Sequence, residues 1–140
     1  KYAHVLGYIK AVQDRWGGFE KIRVDFTREG PSIIADMESA GINNAEGVNF
    51  SVPRKSEMAS LLKQRMMDQR FFYPLLAWDR PYRGDICSEL NVERYELRKD
   101  GAIGFSHPSG THDDVFWAIA LAVYATVEMA PEPFLAVVPR

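Results

Sequence analysis

Residues Lys21 to Val52 read KIRVDFTREGPSIIADMESAGINNAEGVNFSV. Ile22, Val24 and Phe26 alternate with Arg23 and Asp25, the two-residue period of a strand with one apolar face. Thr27 to Gly30 is a loop. Pro31 suits a first helical turn, and Ile33, Ile34, Met37 and Ala40 share one helical face before Gly41 ends it. Val48, Phe50 and Val52 alternate again, predicting a second strand that Pro53 breaks. Strand, helix, strand is the unit from which parallel sheets are built.

Upstream, Val5, Ile9, Val12 and Trp16 recur at helical spacing, and Gly17-Gly18 stops the helix predicted over Lys1 to Trp16. The chain opens on Lys1 inside that helix, so it reads as part of a longer protein. Downstream, Met58, Leu61, Leu62, Arg65 and Met66 mark a helix ending near Gln69. Phe71 to Gly84 is aromatic and proline-punctuated and takes no assignment. Ile86 and Leu90 suggest a short element leading into a hairpin. There Tyr95 and Leu97 face Ile103 and Phe105 across a Lys99-Asp100-Gly101 turn. A polar loop, Ser106 to Thr111, precedes a final helix from Asp113 to about Met129. Residues 131–140 hold three prolines and read as an irregular tail. The expected architecture is α/β: a mixed sheet flanked by helices, with the strand ending at Asp25 central and the last helix packed across it.

The 140 residues suit one domain, and 46% hydrophobic against 26% charged residues supports a folded core. A net charge of −2 makes no bulk case for a nucleic-acid binder, so positive charge would have to be concentrated locally. Cys87 is the only cysteine, which excludes an internal disulfide and a Cys-based zinc site. No secretion signal is visible, and the apolar run Val115 to Ala125 is too short to span a bilayer.

Few residues could carry chemistry. Asp25 lies at the carboxyl end of a predicted parallel strand, where α/β proteins bind ligands. Asp113 and Asp114 open the most apolar helix. Aspartate is a preferred cap there, yet one acid suffices for capping and the second could point into a site. Carboxylates converging from a strand end and a helix start offer the oxygen ligands Mg²⁺ or Mn²⁺ takes. His112 adjoins the pair, and His107 lies in the same loop. Arg54 and Lys55 open a helix and, with Arg28, could supply local positive charge for phosphates. P-loop, dinucleotide and nucleophile-elbow motifs are absent.

Three segments occur in a telling order: VDFTREG (24–30), VNFSVPRKSEM (48–58) and LNVERYELRKDGAIGFSHPSGTHDDVFWAIALAVYA (90–125). Over about residues 2 to 127 this series resembles the nuclease domain of the large subunit of viral DNA-packaging terminases. The resemblance implies an RNase H-like fold lacking its first strands in this chain, so that residues 1–140 are the carboxyl-terminal part of one nuclease domain. It implies a metal-dependent endonuclease that cuts DNA during genome packaging with two Mg²⁺ or Mn²⁺ ions on three acids. Asp25 matches the second acid, and Asp114, or alternatively Asp113, the third. The first would lie upstream of Lys1, and no residue here matches it. The implied partners are double-stranded DNA, an upstream ATPase domain of the same protein, and the portal and small terminase subunit. The implied location is the host cell cytoplasm, with no membrane association. A junction resolvase or transposase-type nuclease of the same fold, and a non-catalytic docking module of a packaging motor, are the rival expectations.

Overall fold

The computed structural model describes residues 2–28, 30–73, 86–97, 99, 101 and 103–127. The predicted Phe71–Gly84 segment lies mostly outside them, as do Asp100 of the hairpin turn and the 131–140 tail. In chain order the elements are α1 (Tyr2–Trp16), β1 (Ile22–Asp25), α2 (Ser32–Ser39), β2 (Ala45–Val48), α3 (Val52–Met67), α4 (Ile86–Val92), β3 (Arg94–Leu97), β4 (Ile103–Ser106) and α5 (Asp114–Ala125).

The class is mixed α/β, but one continuous mixed sheet is not formed among the described residues. β1 and β2 pair in parallel, with Asp25 opposite Val48, and β3 and β4 pair antiparallel in a separate sheet. The expectation that β1 is central is corrected accordingly: within the described residues it has one neighbour, β2. β2 also lies earlier than the alternation of Val48, Phe50 and Val52 predicts. Its ladder ends at Val48 because the next ladder donor is diverted. The Phe50 N–H is taken by the Thr27 hydroxyl at 2.8 Å instead of a backbone carbonyl. Ser51 then caps α3 by accepting from the Arg54 N–H, so Pro53 sits inside the first helical turn rather than between strand and helix. On the face of the parallel pair away from Val48, Gly47 is required by close approach: a Cβ there would stand 2.5 Å from the Phe26 ring.

The core lies between α3, α5 and β2. Met58 and Leu62 of α3, Val48 of β2, and Trp117, Ala120, Leu121 and Tyr124 of α5 form one buried cluster. α5 contacts α3, α4 and β1. Its buried positions 117, 120, 121, 124 and 125 follow the helical period, and its exposed ones include the small residues Ala118 and Ala122. α5 is therefore covered on several sides, as its apolarity demands, and it ends at Ala125, short of the predicted Met129. α1 differs: it buries none of its residues, and Tyr8 and Trp16 are more than two-thirds exposed. No helix among the described residues is long and apolar enough to cross a membrane.

Candidate functional site

β1 presents Arg23 and Asp25 on the face that pattern alone would give to solvent. In register, Asp25 pairs with Val48 and Arg23 with Glu46. Neighbours in register project to the same face of a sheet, and Val48 belongs to the core built by α3 and α5. Asp25 thus lies on the α5 side of the parallel pair. Its carboxylate is exposed and accepts two hydrogen bonds from its own turn, from the Thr27 N–H at 2.9 Å and the Thr27 hydroxyl at 2.6 Å. The DFT sequence is therefore a locked turn: Asp25 holds Thr27, and Thr27 holds Phe50.

Acids also gather around the start of α5, which packs on this face. Asp113 is the N-cap residue, yet its side chain makes no capping bond. Its Oδ2 accepts from the Trp117 indole N–H at 2.9 Å, and its Oδ1 faces His107 Nε2 at 3.7 Å. The cap comes from elsewhere in the sequence. Glu89 of α4, only 4% exposed, accepts from the Val115 N–H at 2.6 Å. This frees Asp113 from the capping role that its position suggested. Asp114 is exposed at the first turn.

Glu93, just past α4, completes the cluster. Both of its carboxylate oxygens are buried without a hydrogen bond of regular geometry among the described residues. Burial is the main cause that pushes its pKa up, from an ordinary 4.5 to about 7. The negative Asp113 beside it adds to the rise, while Lys55 and His107 hold it down. Burial favours the protonated form of Glu93 most, and the neighbouring Asp113 carboxyl favours it further. A hard cation would relieve the same repulsion.

The two basic residues that open α3 part company. Lys55 Nζ stands 4.4 Å from the Trp117 ring centroid and 5.7 Å from that of Phe50, and its charge is felt by Glu93. Arg54 turns the other way, to Tyr124 at the far end of α5. Arg28 is exposed in the loop after β1. The three cations expected to act together are thus spread over three places. His112 is exposed and makes no hydrogen bond or ion pair among the described residues; His107 is the histidine that faces Asp113.

Sequence reasoning missed Glu89 and Glu93. A usable signal existed: two acids four residues apart at a short predicted element, a spacing that would bring like charges together on a helix. As for metal binding, no three His, Cys, Asp or Glu side chains among the described residues converge tightly enough to hold one ion. Glu93 and Asp113 fit as two oxygen donors of a hard-cation site, short of a complete one. No family model matches this sequence, and neither a curated protein nor a solved structure matches it.

Proposed function

We propose that this chain is the carboxyl-terminal part of an RNase H-like, divalent-metal-dependent endonuclease domain that cleaves DNA, of the terminase large-subunit type. The observation that carries the reading is the shared face. Asp25 at the end of β1 and the Glu93–Asp113 pair at the start of α5 lie on the same side of the parallel strands, with Asp114 adjoining. Mg²⁺ or Mn²⁺, held by Asp25, Asp113 or Asp114, and Glu93, would supply water activation and stabilisation of the leaving oxygen. The protein's own residues do the rest. Lys55 offsets the negative charge of the cluster, Trp117 fixes the Asp113 carboxylate, and Arg54, Lys55 and Arg28 offer cations to the phosphate backbone, which positions DNA without reading its sequence.

The test is plasmid cleavage in Mn²⁺ by the protein, together with its thermal stability. Asp25→Ala should abolish cutting. It should also cost about 1 kcal/mol of stability, because two hydrogen bonds in the Asp25–Thr27 turn are lost. Wild-type cleavage by the variant would refute the assignment. A second reading, a non-catalytic docking module, draws on the lack of a three-ligand cluster among the described residues. It predicts no Mn²⁺ binding in a calorimetric titration.

A further inference from the structure

The far end of α5 holds a second site of opposite character. A cavity of about 280 Å³ opens between β1, β2, the start of α3 and Tyr124. Arg23 and Arg54 line it from two different elements, and both guanidinium groups stack over the Tyr124 ring, at 5.5 and 5.1 Å from its centroid. Asn49 and Ser51 add neutral polar groups to the wall. We propose that this cavity binds a phosphoryl group, gripped between Arg23 and Arg54 with Tyr124 as their platform.

Two like charges brought to one ring repel unless something negative lies between or beside them. At present two carboxylates serve that purpose from the rim. Glu46 pairs with Arg23 and with Lys21, and Glu57 pairs with Arg54. The Glu46 and Glu57 side chains are 51% and 54% exposed, that of Arg54 is 40% exposed and that of Arg23 7%. Arg23 is thus fixed in the wall, Arg54 reaches from the wall to solvent, and the anions hang in solvent on flexible stems. This is the arrangement of a site whose counterions can be exchanged for a ligand. Arg54 has five N–H donors in a planar fork, and its contacts with Glu57 and the Tyr124 hydroxyl both run through one terminal nitrogen. The planar fork suits the paired oxygens of a phosphate. Tyr124 contributes its π face, and the carboxyl end of α5 beneath it adds negative potential that favours cations. Both keep the arginines in place without a ligand.

The source of the phosphoryl group is either a nucleic-acid backbone or a free phosphate, and one experiment separates them. The protein is titrated with inorganic phosphate at low salt, against a chloride control, following backbone amide resonances. Saturable shifts are expected at Arg23, Gly47, Asn49, Ser51 and Arg54. Arg54→Gln should weaken binding about tenfold, the loss of one charged hydrogen-bonding group. Glu57→Gln should tighten it severalfold, because the internal competitor for Arg54 is gone while an exposed position leaves the fold undisturbed. A short DNA duplex that displaces phosphate identifies a backbone subsite; a duplex that does not identifies a small phosphorylated ligand. The proposal is overturned if phosphate causes no saturable shifts, or if Glu57→Gln and Arg54→Gln both bind it as the wild type does. The nuclease reading shares Arg54 with this site but not its acids, and it is tested apart from it: phosphate binding should survive in Asp25→Ala, and cleavage should not.

Discussion

The two ends of α5 carry opposite charge and hold it in different ways. At the start stand Glu89, Glu93, Asp113 and Asp114; at the end, Arg23 and Arg54 flank Tyr124. Both signs agree with the helix dipole, which favours anions at the amino end and cations at the carboxyl end. Agreement with the dipole means that charge alone does not distinguish scaffold from site. Satisfaction does. Glu89 spends its carboxylate on the Val115 N–H and is scaffold. Glu93 has both oxygens buried but lacks such a bond, and burial raises its pKa. At the other end, buried Arg23 is matched by Glu46, an acid half in solvent. Each end therefore combines a fixed charge with a partner that can change: a proton for Glu93, and for the arginines a solvent-exposed carboxylate.

The largest expected effect removes the core residue that supports the acidic end. Trp117 donates to Asp113, carries Lys55 on its face and packs against Phe50, Phe105 and Phe116. Trp117→Ala should destabilise the fold by about 3–5 kcal/mol, read from urea unfolding. A loss below about 1 kcal/mol would mean that the core does not hinge on this residue.

Glu89→Ala should cost less, about 1–3 kcal/mol, by leaving the Val115 N–H without its acceptor. If unfolding shows no change, then Asp113 or Asp114 takes over the cap, and the contrast between a structural Glu89 and a freed Asp113 collapses.

The smallest effect sharpens the contrast most. The folded pKa of Glu93, about 7, lies above the ordinary 4.5. The folded state then binds more protons between those values, so the stability linked to Glu93 is complete below about 4.5 and is lost as pH rises through about 7. Melting temperature should fall from about pH 5 to about pH 8. Glu93→Gln, which imitates the protonated acid, should flatten that slope and melt higher than wild type at the alkaline end. Mn²⁺ should raise the alkaline melting temperature of the wild type and do little for the variant. A slope that is unchanged by Glu93→Gln would place the titrating group elsewhere.

Much of this was legible from residues alone. The alternation of Ile22, Val24 and Phe26 marks β1, and Gly17 and Gly41 end α1 and α2 with positive φ. The run from Val115 to Ala125 could only be a covered helix. These are local matters, decided by periodicity, backbone freedom and apolar content. Other features needed the third dimension. β2 falls on Ala45–Val48, a stretch poor in strand formers, because pairing with β1 outweighs propensity and the Thr27 hydroxyl withdraws Phe50 from the ladder. Glu89, distant in sequence, caps α5 in place of the adjacent Asp113. Arg54 and Lys55, adjacent in sequence, face opposite ends of α5 because successive helical residues diverge by about 100°. Sequence determines which side chains are charged and which segments coil or extend. Only tertiary packing decides which of those charges lose water, and for a charge that loss is what separates a solvated surface from a site.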